Sequence, residues 1–311
     1  MFVDTFYKPD KNDCFSHKVL FLKKLQQVTV IGLGLLGSSI TLGISRSGTG
    51  IRTVGYSHRA VTRRRAGRLG VADVIFDDIC KSVVQADIVI LATPICTFRE
   101  IFRTIAPALK AGCIVTDVGS TKVLPHKWAK IILPKYVYYA GSHPIAGSEQ
   151  RGVEFGRDDL FAGAACIITK DAATNPSVVQ TLKKFWSLLG CRVSTMTPQQ
   201  HDTIFGNVSH LPHALAVALL NASDLKQLKF CGKGFMDTSR IASGPANIWS
   251  DIFYTNSANI CKGIDRTVKE LHKLKKAIRL KNKNQIEKLL KLARSKRAKL
   301  IEYKVSKKEI E

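Results

Sequence analysis

The stretch Val28-Thr29-Val30-Ile31-Gly32-Leu33-Gly34-Leu35-Leu36-Gly37 decides the fold. A short apolar, β-branched run reads as a buried strand. The three glycines follow at G-x-G-x-x-G spacing, and the pattern then turns helical over 35–47. Placed between a strand and a helix, Gly32 permits a tight turn, Gly34 lets the backbone approach a pyrophosphate, and Gly37 lets helix and strand pack closely. The helix start offers free N–H groups and a positive dipole end to phosphate. Gly32, Leu33, Gly34, Leu35, Leu36 and Gly37 are therefore the expected dinucleotide contacts.

The next strand is expected over 52–56, and its end decides which dinucleotide is held. An NAD site usually places an acidic residue there for the ribose 2′-hydroxyl. This chain has Tyr56-Ser57-His58-Arg59, with no Asp or Glu anywhere in 38–72, and Arg63, Arg64 and Arg65 follow. Ser57 and Arg59 could hold a 2′-phosphate through charge-assisted hydrogen bonds. NADP is favoured over NAD, the alternative being arginines that only solvate a helix in a site accepting both.

Further strands are expected over 88–92, 113–117, 137–141, 165–169 and 192–195, most of them separated by helical segments. That rhythm is α/β, a doubly wound parallel sheet. From Thr197-Pro198 onward helical patterns take over, notably over 198–221 and 247–277, and Pro198 suits a first helical position. The expected organisation is an N-terminal extension over 1–26, a dinucleotide-binding domain over 27–197 and a helical domain over 198–311. Open α/β sheets bind ligands beyond the carboxyl ends of their strands. This brings Thr93 and Pro94, after one strand, and Ser120, after another, to the expected site.

The chain has 311 residues, 45% of them hydrophobic, which is ordinary for a folded protein and too apolar for wholesale disorder. Its 48 Lys and Arg against 24 Asp and Glu leave a net charge of +24. Half of that excess lies in 266–311, which has the spacing of basic amphipathic helices. Such a tail either binds nucleic acid or an anionic surface, or packs with a solvated lysine face. The absence of stacking aromatics and of a DNA-binding motif favours packing. The eight cysteines are scattered, with no C-x-x-C and no zinc spacing, so reduced thiols, no metal and a cytoplasmic location are expected. No signal peptide and no apolar run of bilayer length is legible.

His143 stands between glycine turns in Gly141-Ser142-His143-Pro144-Ile145-Ala146-Gly147. It is placed to accept a hydroxyl proton during hydride transfer, or else is a structural loop histidine. His210 and His213 share a helix face without a carboxylate or thiol at ligand spacing, which favours hydrogen bonding over metal. Arg240, in Asp237-Thr238-Ser239-Arg240, could hold a carboxylate bidentately or form a surface ion pair.

Six segments in order carry a resemblance: Gly32 to Gly37, Ala92-Thr93-Pro94, Asp117-Val118-Gly119-Ser120, Gly141 to Gly147, Ser209-His210-Leu211-Pro212-His213, and Asp237-Thr238-Ser239-Arg240-Ile241-Ala242. Together they resemble the motifs of prephenate/arogenate dehydrogenases, the tyrosine-biosynthesis enzymes. The resemblance implies a Rossmann-type domain followed by an all-helical dimerisation domain that includes the basic tail, and a homodimer acting on a small molecule and not on nucleic acid or membrane. It also implies NAD(P)-dependent oxidative decarboxylation of a cyclohexadienol. His143 would be the catalytic hydrogen-bond acceptor, oriented with the help of Ser120. Arg240 would bind a substrate carboxylate, Asp237 and Glu149 would form a gating ionic network, and Ser209, His213 and Trp249 would line the substrate pocket. β-Hydroxyacid dehydrogenases of the same fold would place Lys where this chain has His210, which weighs against that alternative.

Overall fold

The structure, a computed structural model, describes residues 25–146 and 150–306. The extension expected over 1–26 lies outside the described residues except for its last two, and so does Glu149.

β1 (Gln27–Ile31), β2 (Arg52–Tyr56), β3 (Val74–Phe76), β4 (Ile88–Leu91), β5 (Ile114–Asp117) and β6 (Tyr138–Tyr139) form one parallel sheet in the order β3-β2-β1-β4-β5-β6. The order reverses between β1 and β4, which opens a ligand crevice there. The register places Ile31 beside both Tyr56 and Leu91, and Leu91 beside Asp117. The loops carrying Gly32, Ser57, Thr93 and Ser120 therefore leave the sheet along one edge.

The sheet is buried on both faces, as its continuous apolar strands require. Val28, Val30, Ile88 and Ile90 pack with α1 (Leu35–Arg46) and α6 (Pro176–Leu188), whereas Ile31, Val89 and Leu91 pack with α4 (Phe98–Ile105). Between these helices run α2 (Ala60–Arg68), α3 (Ile79–Val83) and α5 (Val123–Ile132).

The parallel sheet does not continue through all the expected strands. The strand expected over 137–141 ends after Tyr139, and the chain enters a second sheet made of β7 (Gly141–Ile145), β8 (Ala165–Thr169) and β9 (Arg192–Met196). β7 runs antiparallel to β8, and β8 runs parallel to β9. The physical reason lies in the connections. α6 provides a crossover between β8 and β9, but no long helix separates β7 from β8. Ser142, fully buried on β7, bonds Thr116 of β5 at 2.8 Å and accepts the Trp186 indole N–H of α6 at 2.9 Å. This fastens the second sheet to the first immediately beside His143.

A capping box opens the helical part: Thr197 accepts from the Gln200 N–H while the Gln200 side chain accepts from the Thr197 N–H, and Pro198 sits in the first turn. α7 (Pro198–Phe205) passes through a π-turn (Gly206–His210) into α8 (Leu211–Asn221). Pro212 accounts for the widening, since it lacks an N–H and its ring would meet the carbonyl four residues back. The combined helix Pro198–Asn221 has 24 residues and is apolar enough on average to span a bilayer, although no unbroken apolar run is present. His201, Asp202, His210 and His213 interrupt the run, and all four are buried.

After α9 (Leu225–Leu228) and α10 (Lys233–Ser239), the long helix expected over 247–277 is divided at Asn256 into α11 (Ala246–Thr255) and α12 (Ser257–Arg279). Backbone contacts group the residues through Ser257 in one unit and those from Ala258 in another. In the second unit Lys281 adopts a left-handed conformation, φ 51°, and the Asn282 side chain accepts the Gln285 N–H to start α13 (Lys283–Ser306).

Candidate active site

The crevice at the β1/β4 reversal is a cavity of about 1090 Å³. Gly32, Leu33, Gly34, Ser57, Arg59, Thr93 and Pro94 line it. Leu35, Leu36 and Gly37, also expected there, put no side chain into its lining and form the first turn of α1; Leu36 packs against the core, and Gly37 lies so close to the Gly32 carbonyl that a side chain would overlap it. Gly32 has φ +105°, and a Cβ there would strike the Ala92 carbonyl, whereas the space beside Gly34 is open. No side chain caps the start of α1, so its first N–H groups face the crevice unpaired by a cap. These features fit a dinucleotide: an uncapped helix start for the pyrophosphate, and room at Gly34 for it to approach the backbone.

At the ribose end Ser57 is buried and Arg59 is exposed at the start of α2. Two of the arginines behind them are already engaged. Arg63 donates to the carbonyls of Ser57 and His58 at 2.7 and 3.0 Å, and Arg65 pairs with Glu154 at 3.0 Å.

A polar wall is built from His143 on β7, the start of α7 and the loop after β5. His143 Nδ1 lies 2.8 Å from His201 Nε2, and His201 Nδ1 lies 2.8 Å from Asp202 Oδ1. The Asp202 carboxylate accepts the backbone N–H groups of Lys122 and Val123 at 2.7 and 2.9 Å, at the start of α5. The Phe205 ring packs against both histidines, its centroid 4.9 Å from that of His143 and 4.5 Å from that of His201. Behind them Lys122 and Asp117, both fully buried, form an ion pair; Asp117 also accepts the Tyr139 hydroxyl and the Gly119 N–H, each at 2.7 Å.

Burial keeps the imidazoles of this wall uncharged. It holds His143 well below the ordinary histidine range, with His201, Lys122 and His210 adding repulsion. Burial also pushes His201 down to about 2 and His210 to about 4. Asp202 is raised by burial, against the pull of its two backbone donors.

The helical side of the site is built on Trp249 of α11. The His213 ring stacks on its indole with centroids 3.5 Å apart and planes 8° apart. Gly244 makes this possible, because a Cβ there would overlap the indole nitrogen. Asn256 donates to the Asp202 carbonyl at 2.7 Å and lies 3.0 Å from His210 Nδ1. Asp251 accepts the Cys96 N–H at 3.0 Å, and Thr255 bonds Thr121 at 2.8 Å, so α11 is tied to the loops after β4 and β5.

The remaining expected residues are less closely joined. Ser120 and Ser209 are half-buried, Ser120 in the loop between Asp117 and Lys122 and Ser209 in the π-turn, and no hydrogen bond joins Ser120 to His143. Asp237 and Arg240 are both exposed, at the end of α10 and the start of the following turn. Among the described residues no cluster of His, Cys, Asp and Glu is suited to a metal. His201, Asp202, Lys122 and Asn256 were not singled out in the sequence. A His-Asp dipeptide after a helix cap reads as a polar helix surface, and only the tertiary fold turns it towards His143.

Residues 40–195 match the prephenate dehydrogenase nucleotide-binding domain, and residues 197–294 match the prephenate dehydrogenase dimerization domain. The chain belongs to the prephenate dehydrogenase family. It is 31% identical over 260 residues to the cyclohexadienyl dehydrogenase of Zymomonas mobilis, covering 81% of this chain and 88% of that one. Among solved structures it is similar to the prephenate dehydrogenase of Aquifex aeolicus in complex with hydroxyphenyl propionate and NAD+, at 35% identity and a TM-score of 0.83. That match covers 89% of this chain and 98% of the other. The Synechocystis arogenate dehydrogenase aligns at 26% identity with a TM-score of 0.76, covering 88% of this chain and all of that one. As a member of this family the chain is an oxidoreductase with a dinucleotide-binding domain.

Proposed function

We propose that this member of the prephenate dehydrogenase family catalyses NADP-favouring oxidative decarboxylation of prephenate or arogenate, with His143 accepting the proton of the ring hydroxyl. The observation that carries this reading is a half-buried histidine on β7 whose surroundings hold it uncharged, next to Ser142, which fastens β7 to Thr116 of β5 at the edge of the sheet that bears the dinucleotide crevice. A neutral imidazole has a lone pair to offer a hydroxyl, and an imidazolium has none. When bound in that crevice, the dinucleotide supplies the hydride acceptor. The protein has to hold the ring in line and receive the proton, and loss of the ring carboxylate as CO2 restores aromaticity.

Arg240 binds a substrate carboxylate, with Asp237 and Glu149 as its ionic partners in gating; Ser209, His213 and Trp249 contact the substrate, and Ser120 helps orient the hydroxyl. His143→Asn should lower kcat by roughly 100- to 10,000-fold with little change in KM. Arg240→Gln should chiefly raise KM. Steady-state kinetics of the two variants separates these roles, and equal losses in both parameters for both variants would overturn the division.

The preference for NADP is supported by Ser57 and Arg59 at the ribose end and by the absence of an acidic residue over 38–72. Loss of one charge-assisted hydrogen bond is worth about 1.5–3 kcal/mol, so Arg59→Ala should raise the KM for NADP at least tenfold while leaving that for NAD nearly unchanged. An equal rise for both cofactors would contradict the assignment. We assign residues 27–197 to the dinucleotide domain and 198–311 to a helical substrate-binding and dimerisation domain. Exposed Val208, Leu215 and Leu219 on the helix Pro198–Asn221 support a second copy of the chain as its partner.

A further inference from the structure

We infer that His201 and Asp202 are positioning residues that fix the tautomer of His143, placing its proton on Nδ1 and leaving Nε2 as a bare acceptor towards the substrate hydroxyl. The inference rests on the reading of His143 as the proton acceptor.

The argument runs inward from Asp202. Both of its carboxylate oxygens accept backbone N–H groups, Oδ1 from Lys122 and Oδ2 from Val123. Backbone amides can only donate, so they identify the carboxylate as the acceptor of this cluster. His201 Nδ1, 2.8 Å from Oδ1, must then carry a proton and donate it. The opposite tautomer would set a nitrogen lone pair against a carboxylate oxygen at that distance, inside a site fully closed to water. A neutral His201 with its proton on Nδ1 has a lone pair on Nε2. His143 Nδ1, 2.8 Å from that lone pair, is accordingly a donor. One proton per neutral ring then leaves His143 Nε2 unprotonated.

Three features make this directional order rigid. His201 is fully buried and Asp202 is 1% exposed, so water does not compete for either hydrogen bond. Phe205 packs against both imidazoles and fixes their planes. Asn256, immediately after α11, holds the backbone carbonyl of Asp202 at 2.7 Å. The charged and titratable groups facing the pair are Lys122 from the loop after β5, ion-paired to Asp117, His210 from the π-turn and His126 from α5. A third group that fixes the orientation and tautomer of a catalytic histidine is the role of the aspartate in a Ser-His-Asp triad. Here a second histidine stands between the catalytic ring and the carboxylate.

The test compares two substitutions at His201, which leave the Asp202 bonds to Lys122 and Val123 in place. His201→Leu removes the acceptor for the His143 Nδ1 proton and should cost on the order of 100-fold in kcat with KM within about threefold of the native value. His201→Gln restores an acceptor oxygen and should recover at least about tenfold of that loss, at a thermal midpoint similar to that of His201→Leu. Histidine-selective 15N NMR of the native protein should show the His143 proton on Nδ1. Equal kcat for the Leu and Gln variants, native kcat in the Leu variant, or a proton on His143 Nε2 would overturn the inference. Native kcat in His143→Asn would instead overturn the reading on which it rests.

Discussion

His143 stands beside the buried, uncharged His201, with the buried His210 and the Lys122–Asp117 ion pair near it, and this has a consequence for stability. The pKa values of His201 and His210 are depressed on folding, so the unfolded chain binds protons at these sites that the native chain does not. Their contribution to stability is complete above the unfolded value of about 6.5 and is lost as pH falls towards the folded values. Between about pH 6 and pH 4 each should lower the unfolding free energy by up to about 1.4 kcal/mol per pH unit. Urea titrations across that window should show a falling midpoint, with a shallower slope in His210→Asn; a flat profile would mean the rings are charged in the native state. Lys122 and Asp117 call for a second measurement. Lys122→Met leaves a fully buried carboxylate without its cation and should cost about 3–5 kcal/mol by chemical denaturation. The glycine fingerprint was legible because its residues are consecutive in the chain. His143 was legible through the glycines flanking it. His201 and Asp202 were hidden because their partners lie 58 and 80 positions away.

The elements were predictable where burial was uniform and lost where pairing was decided over distance. β1, β4 and β5 announce themselves as largely apolar runs. β3 has three half-buried residues and no pattern to read. The run over 137–141 reads as one strand although the chain changes sheets at Ala140, because residue type does not record which neighbour a strand pairs with. The division of α11 from α12 at Asn256 has a specific cause in the site: the side chain leaves helical routine to serve Asp202 and His210. Asn256→Leu should therefore leave the buried His210 Nδ1 unpaired, while the Asp202 carbonyl keeps the Gly206 N–H, and cost about 1–3 kcal/mol. Differential scanning calorimetry would register it as a lowered Tm, and an unchanged Tm would mean that the helix break is set by other contacts.

Across the whole molecule the charge of +24 has no single role. Around Ser57 it lies beside the proposed ribose position, and two of the arginines there serve the protein itself, Arg63 by fixing the loop and Arg65 by pairing with Glu154. In α13 it lies on a helix with no buried residue, whose Leu290, Leu292 and Leu300 are exposed. Association through apolar faces predicts a dimer by analytical ultracentrifugation that persists at about 1 M salt, where charge contacts are screened within about 3 Å; dissociation at that salt would assign the interface to charge instead. The family and its dinucleotide crevice were legible from six ordered motifs, whereas the proposed substrate residues are scattered through the helical part and their side chains do not spell out one substrate. The central claim is tested most directly by the initial rate of reduced-cofactor formation, with prephenate and arogenate each offered with NADP and NAD. The account predicts turnover of at least one of the two substrates with NADP preferred over NAD, and no reduction in any of the four combinations would contradict it.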